Sequence, residues 1–206
     1  MTFPESAKSL LRLAAGQRGY SRLASNYVWG KTLLNYLLFR LPGLRLIWRM
    51  RAWPHTLYLE ATNVCNARCV FCAYPHMTRP KQSMSLELFH GAVDQYCAMG
   101  GGDVDVTSIV GDPFIDALLF ERLDYLAAQP RVRRFSFFTN AIAMKPDWSQ
   151  RLLSYGGRLS VYISFGGFDR DTYRRIFGVD KFEAATANIR ALVEAKRRAS
   201  NAPRIQ

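Results

Sequence analysis

The chain has 206 residues, 49% hydrophobic and 21% charged, which excludes a disordered or fibrous polymer and allows one sizeable core with an appendage. Four cysteines are too few for a secreted disulfide framework, and three of them fall within eight residues, which in a reducing compartment points to metal or cluster ligation. The formal net charge is +12, but the first 55 residues hold nine Lys and Arg against one acid, so the surplus is not spread over the fold as a nucleic-acid groove requires, and nucleic acid is not the expected partner.

Residues 1–53 read as a basic, amphipathic helical region, and residues 54–206 as the main domain. In the first region, apolar residues recur at helical spacing from Ser21 to Arg40, with Ser21 placed as the N-cap. Leu41-Pro42-Gly43 breaks the pattern, and Leu44 to Met50 restarts a short basic stretch. Lys31, Arg40, Pro42 and Arg45 interrupt any run of about 20 apolar residues, so no membrane span is expected. The N-terminus also lacks the uninterrupted apolar stretch and small-residue cleavage site of a secretory signal. The apolar face of the first region has three destinations: packing on the domain that follows, the interface of an anionic membrane with Trp and Tyr at headgroup level, or a macromolecular partner. The expected location is cytoplasmic, and peripheral at the membrane in the second case.

From Pro54 onward, strand and helix patterns alternate. Thr56 to Glu60 reads as a strand, Ser85 to Met99 as a helix with Leu86, Phe89, Val93 and Tyr96 on one stripe, and Asp105 to Val110 as a short strand. A helix follows near Asp116 to Ala128, then a strand at Arg133 to Phe138 and a helix from Pro146 to Tyr155, with proline at its start. Leu159 to Ser164 is the fourth strand, followed by a short helix around Asp171 to Ile176 and a longer one from Phe182 to about Ala199. Four βα units in succession predict an α/β fold: a parallel sheet with helical crossovers, forming part of a (β/α) barrel. Ala202 to Gln206 reads as the opening of a fifth strand.

In such folds, ligands bind at the carboxyl ends of the strands. Here the first strand runs into the cysteines, the second into Gly111-Asp112-Pro113, the third into Thr139-Asn140, and the fourth into Ser164 followed by Gly166-Gly167. Each alone is ordinary turn chemistry; together they deliver polar and glycine residues to one rim. Cys65, Cys69 and Cys72 are spaced C-x3-C-x2-C, and thiolates suit an iron–sulfur cluster or zinc. A [4Fe–4S] cluster needs four ligands, so three cysteines leave one iron open to a small molecule. The zinc reading draws on His76, which follows Cys72 with three residues between and would complete a Cys3His set, with a basic nucleic-acid-binding module as the function.

On these residues, the stretch from Pro54 to Gln206 resembles the radical SAM superfamily. The resemblance implies a [4Fe–4S] cluster on Cys65, Cys69 and Cys72, with S-adenosylmethionine (SAM) chelating the open iron. It also implies reductive cleavage of SAM to methionine and a 5′-deoxyadenosyl radical that abstracts hydrogen from substrate. By position, Phe71 lies against the adenine. Gly111-Asp112-Pro113 matches the element whose backbone holds the SAM amino group, with Val110 where glycine is usual and Asp112 where Glu is usual. Asn140 belongs to a Thr-Asn-Gly element, with Ala141 in place of the glycine, and Ser164 stands near the SAM carboxylate and ribose. Gly166-Gly167-Phe168-Asp169 is similar to the Asp-Gly-x-Asp that follows the fourth strand. No catalytic residue beyond the cluster ligands is assigned.

The nearest group within the family is the one that often carries a C-terminal auxiliary-cluster (SPASM or twitch) domain, an extension this sequence lacks. The resemblance implies an external flavodoxin- or ferredoxin-like electron donor and a peptide or natural-product precursor as substrate. The family core has six βα units and this sequence supplies about four, so the expectations include a fragment that binds SAM or the cluster without catalysis, and a partial barrel completed by another chain. Cys97 reads as a buried thiol, His90 as a surface residue, His55 as a linker residue, Tyr74 and His76 as loop packing, and Tyr162 and Phe165 as barrel packing. Arg174-Arg175 reads as a solvated helix face.

Overall fold

The computed structural model describes residues 5–41, 54–107 and 109–206. The chain divides into two compact units, Met1–Trp53 and Pro54–Gln206. In the first, helix α1 spans Glu5–Arg40. Ser21 therefore lies inside this helix and is not its cap. The upstream run Leu10-Leu-Arg-Leu-Ala-Ala15 consists of strong helix formers, so propensity carries the helix back through the expected start. Leu23, Tyr27, Trp29, Leu33, Leu34 and Leu37 are exposed along it, and the Arg40 side chain folds back over the Tyr36 ring and donates to its hydroxyl at 2.9 Å. No helix among the described residues is long and apolar enough to cross a membrane. The basic stretch from Leu44 to Met50 lies outside the described residues.

In the second unit the elements are β1 (Thr56–Tyr58), α2 (Leu86–Ala98), β2 (Gly102–Asp105), α3 (Leu119–Ala128), β3 (Val132–Thr139), α4 (Trp148–Ser154), β4 (Leu159–Ile163), α5 (Arg170–Phe177), α6 (Phe182–Arg197) and β5 (Arg204–Ile205). All strand pairs are parallel, in the order β1-β2-β3-β4-β5, and the fifth strand pairs with β4 through Ser160–Arg204 and Val161–Ile205. Parallel neighbours need crossovers, and the helices supply them. Helix starts follow side-chain chemistry: Ser85 accepts from the Leu88 N–H at 3.2 Å at the head of α2, and Asp169 accepts from the Thr172 N–H at 2.8 Å at the head of α5. Gly178, at φ 67°, ends α5 in the left-handed conformation.

The second strand departs from the sequence expectation at both ends: it runs from Gly102 to Asp105, where the sequence predicts Asp105 to Val110. The Asp105 carboxylate accepts the Thr107 N–H at 2.7 Å, a side-chain turn that draws the backbone away from the ladder. The Val110 N–H is then taken by Glu60 at 3.3 Å.

Alternation in the strands sorts the two faces of the sheet. Val104, Phe135, Phe137, Leu159 and Val161 pack with Phe89, Val93, Leu123, Leu126 and Leu152 into the main core, where Phe89 is fully buried and its truncation to alanine would cost about 3–5 kcal/mol. Cys97 is buried in this core, whereas His90 is half-buried and stacked on Tyr125 with ring centroids 3.7 Å apart, so it is not the free surface residue the sequence suggests. The other face of the sheet turns Thr56, Tyr58, Asp103, Asp105, Ser136, Phe138 and Tyr162 into an open cavity of about 1190 Å³.

Two arginines, Arg122 buried and Arg158 half-buried, pin the ends of these elements. Arg122 pairs with Asp116 at 2.7 Å, both side chains almost wholly excluded from solvent, and also donates to the Met84 carbonyl. Arg158, immediately before β4, donates to the carbonyls of Leu126, Ala127, Gln129 and Val132 at 3.2, 2.6, 3.1 and 2.6 Å. It thereby satisfies the last carbonyls of α3 and the first of β3, groups that a helix end otherwise leaves without partners.

Candidate metal and cofactor site

Beyond β1 the chain leaves the sheet on a loop whose two ends are stapled together. The Asn63 side chain donates to the Pro80 carbonyl at 2.8 Å and accepts the Gln82 N–H at 2.7 Å, and Thr62 bridges to Ser83. The excursion between them carries the cysteines. It is tied to the end of α5, where the N–H groups of Arg68 and Val70 donate to the carbonyls of Phe177 and Ile176, both at 2.9 Å. A Cβ on Gly178 would stand 2.5 Å from the Arg68 carbonyl oxygen, so the close approach needs glycine in that position. Within the loop, the Ala67 N–H points at the Cys65 sulfur at 3.5 Å and the Tyr74 N–H at the Cys72 sulfur at 3.4 Å, a setting suited to anionic sulfur.

Cys65, Cys69 and Cys72 line one cavity of about 550 Å³, open to solvent, together with Phe71 and Phe177. The strand ends complete it with Ile109, Val110, Gly111 and Asp112 after β2, Phe138, Thr139 and Asn140 at the end of β3, and Ser164 after β4. Burial pushes the Cys65 thiol up, and burial followed by the charges of Cys65 and Cys72 pushes Cys69 up to about 11. A metal entering this loop therefore displaces protons from it.

The strand ends are locked to one another through Asp112. Its carboxylate is buried and accepts from the Phe114 N–H at 3.0 Å, the Asn140 N–H at 2.7 Å and the Thr139 hydroxyl at 2.9 Å. Thr139 in turn accepts the Ala141 N–H at 3.0 Å, and the Ser164 N–H donates to the Thr139 carbonyl at 2.8 Å. Asp112 lines the cavity, its own N–H donates to the Val64 carbonyl at 2.8 Å and its carbonyl accepts the Ile115 N–H at 3.0 Å, while its side chain ties the segment after β2 to the end of β3. Pro113 does not line the cavity; it is buried at the start of a short 3-10 turn, where its missing N–H costs nothing.

Gly111, at φ 113°, brings the chain so close to the cysteine loop that a Cβ would lie 2.7 Å from the Thr62 carbonyl oxygen. The Asn140 side chain reaches across to the cysteine loop, donating to the Asn66 Oδ1 at 2.8 Å with the Cys65 sulfur 3.9 Å away. Ala141, at φ 58°, is the one non-glycine with positive φ among the described residues, and Asn188 of α6 holds its carbonyl at 2.8 Å. This conformation explains why the family pattern has glycine there.

Of the residues singled out by sequence, the structure gathers the three cysteines, Phe71, Gly111, Asp112, Asn140 and Ser164 around the cavity and leaves Pro113 behind it. His76 is exposed and lines neither this cavity nor its neighbour at the cysteine loop. Phe71 is 69% exposed, its ring edge-on to Phe177. Tyr162 stacks on Phe138 at 4.6 Å within the open face, and Phe165 leans on Tyr173 and Phe182. Sequence reasoning placed Thr139 at the rim beside Asn140 but missed Asn66, Ile109, Phe138 and Phe177, none of which carried a signal.

A parallel α/β sheet with three free cysteines lining a cavity at its carboxyl rim suits an enzyme class that works on a bound cluster and a small-molecule co-substrate. The family model described as the radical SAM superfamily matches residues 59–202, and the chain belongs to that superfamily, whose enzymes bind a [4Fe–4S] cluster and SAM. Among curated relatives, the chain is 28% identical over 134 residues to a GTP 3',8-cyclase of Pasteurella multocida, covering 62% of this chain and 37% of the relative. It is 28% identical over 160 residues to a GTP 3',8-cyclase of Actinobacillus succinogenes, covering 74% of this chain and 45% of the relative. The chain thus spans less than half the length of these curated relatives.

Among solved structures, Streptococcus suis SuiB bound to the precursor peptide SuiA superposes with a TM-score of 0.62 at 15% identity, over 79% of this chain and 36% of that one. The structure of anSMEcpe with bound AdoMet and the Cp18Cys peptide superposes with a TM-score of 0.58 at 18% identity, over 74% of this chain and 42% of that one. At these identities the likeness is one of fold, and it places the partial barrel among radical SAM barrels.

Proposed function

We propose that this chain holds a [4Fe–4S] cluster on Cys65, Cys69 and Cys72 and uses it to cleave SAM reductively for hydrogen abstraction from a substrate. The supporting observation is the single cavity shared by the three cysteines and the ends of three further strand-end segments. A tetrahedral zinc, about 2.3 Å from each sulfur, would draw the donors to within about 4 Å of one another. His76 lines neither the cavity nor the groove beside the cysteine loop, so no Cys3His zinc set is assembled, and a cluster with one open iron suits the three cysteines better.

When bound, the cluster supplies the electron that breaks a carbon–sulfur bond of SAM; the rest falls to the chain. Phe71 and Phe177 offer the aromatic wall for an adenine, and Ser164 offers a hydroxyl at the open side. Gly111 presents backbone to an amino group, and the buried Asp112 carboxylate keeps that backbone in register with Asn140. Asn140 holds Asn66 and so orients the first cysteine.

The substrate sits on the open face beyond Phe138. A peptide or natural-product precursor is the substrate class we read for that face, which Tyr58, Phe138 and Tyr162 line, in keeping with the peptides bound by SuiB and anSMEcpe, which share the fold. Anaerobic reconstitution with iron and sulfide, followed by reductant and SAM, should yield a brown protein that produces 5′-deoxyadenosine. A colourless protein with stoichiometric zinc refutes the cluster, and a brown protein that releases no 5′-deoxyadenosine refutes catalysis by this chain.

The exposed apolar and aromatic residues of α1, interspersed with Arg22, Lys31 and Arg40, suit an anionic bilayer surface. Flotation with vesicles containing anionic lipid is the expected result. Absence of flotation would leave packing on another protein surface as the role of those residues.

A further inference from the structure

The cysteine loop has a second side. A groove of about 710 Å³ there shares a single residue, Cys65, with the cavity assigned to SAM. Its walls include Arg68, Tyr74, Lys81 and Val179. From Ala61 to Leu86 the sequence holds Arg68, Arg79 and Lys81 and no Asp or Glu. Arg79 is neutralised by Glu60 at 2.6 Å, but among the described residues neither Arg68 nor Lys81 has a carboxylate partner, and both are exposed. The Lys81 ammonium lies 5.3 Å from the centre of the Tyr74 ring. The nearest acid along α5 and its exit, Asp180, is already held by a two-pronged contact with Arg170 at 2.8 and 2.6 Å, while Arg174 and Arg175 are exposed.

A cluster ligand thus forms part of the floor of a cationic groove, on the side of the loop that SAM does not use. We propose that this groove is the docking face for the protein that delivers the electron, and that this donor presents an acidic surface to Arg68 and Lys81. The proposal rests on the cluster reading above. Unpartnered exposed cations raise the encounter rate of an oppositely charged protein by about 10- to 1,000-fold at low salt. Docking here puts the donor against Cys65 while the SAM cavity stays clear. The step is a one-electron transfer: the donor is oxidised by one electron, the cluster is reduced by one, and no bond forms or breaks.

The test uses the full chain, reconstituted anaerobically, and follows bleaching of the cluster absorbance in a stopped-flow instrument. Two reductants are compared: a reduced, acidic flavodoxin, and a photoreduced deazaflavin as a small donor that needs no docking face. In the double variant Arg68→Glu/Lys81→Glu, reduction by flavodoxin should slow at least tenfold, and the steep salt dependence of the wild-type rate should flatten. Reduction by deazaflavin should be unchanged, and Arg68→Lys/Lys81→Arg should keep the wild-type rate. An unchanged flavodoxin rate in the charge-reversed variant, or an equal loss with both reductants, overturns the docking face alone. A wild-type chain that forms no cluster overturns the cluster reading and the docking face together.

Discussion

Asp112→Asn tests how the site is held together. The carboxylate receives three donors: the Phe114 N–H, the Asn140 N–H and the Thr139 hydroxyl. An amide of the same size has one acceptor oxygen and a donor NH2 group, which must then face the N–H of Phe114 or of Asn140. One charge-assisted hydrogen bond is lost and one buried N–H is left without an acceptor, and together these cost about 2–4 kcal/mol. Near the middle of that range, at roughly 2–4 °C per kcal/mol for a chain of this size, the melting temperature falls by about 6–12 °C. Burial raises the Asp112 carboxyl above its ordinary value, against the pull of the Asn140, Phe114 and Thr139 donors.

Urea unfolding of the wild type and variant, read by tryptophan fluorescence and circular dichroism together, measures the difference. Iron bound per chain after reconstitution should fall as well, because Asn140 loses its anchor and with it the hold on the cysteine loop. A stability change under about 1 kcal/mol refutes the reasoning: it would mean that Asp112 is protonated and that an amide replaces it without loss.

Three further outcomes are expected. Gly111→Ala puts a Cβ 2.7 Å from the Thr62 carbonyl oxygen at a positive φ and should cost about 1–3 kcal/mol, with weakened SAM binding by calorimetry on the reconstituted protein. Arg122→Met strands the buried Asp116 and should cost about 3–5 kcal/mol in urea unfolding, whereas Arg122→Met/Asp116→Leu should recover much of it; additive losses would refute the coupling. The Asp169 carboxyl is held below its usual range chiefly by hydrogen bonds from Thr172, so its contribution to α5 is full above the ordinary carboxylate pKa and is lost as pH falls through its lower folded value. Asp169→Asn should flatten that acid limb in a melting-temperature profile, and an identical limb in the variant would refute the assignment.

Much of the site was legible because it depends on spacing and strand order. The C-x3-C-x2-C run, Gly111-Asp112, Thr139-Asn140 and Ser164 each follow a strand, and a parallel sheet brings the carboxyl ends of its strands to one rim. What stayed hidden depends on where individual side chains point. Asp112 reads as a binding residue by position, yet its carboxylate turns inward to Thr139, a choice set by burial and not by the local sequence. Both ends of β2 were misplaced: the strand starts at Gly102, within a glycine run that hides a strand start, and the Asp105 side chain turns to the Thr107 N–H where the pattern of Val106 and Ile109-Val110 suggests that it continues. Phe177 enters the site only because Gly178 lets the cysteine loop approach the end of α5, a contact more than a hundred residues distant in sequence. The early part of α1 lacks the regular apolar stripe that marks the later part, so its helix was carried by propensity alone.

The guanidinium of Arg158 has a consequence for how the protein acquires its metal. By gathering four carbonyls at the amino-terminal base of the sheet, it closes the scaffold at the end remote from the thiols, and the large apolar core closes the rest. On the cluster reading, folding and loading should be separable, unlike those of a zinc finger, whose polypeptide collapses without its ion. A chelator is then expected to strip colour from the reconstituted protein while its melting transition stays cooperative.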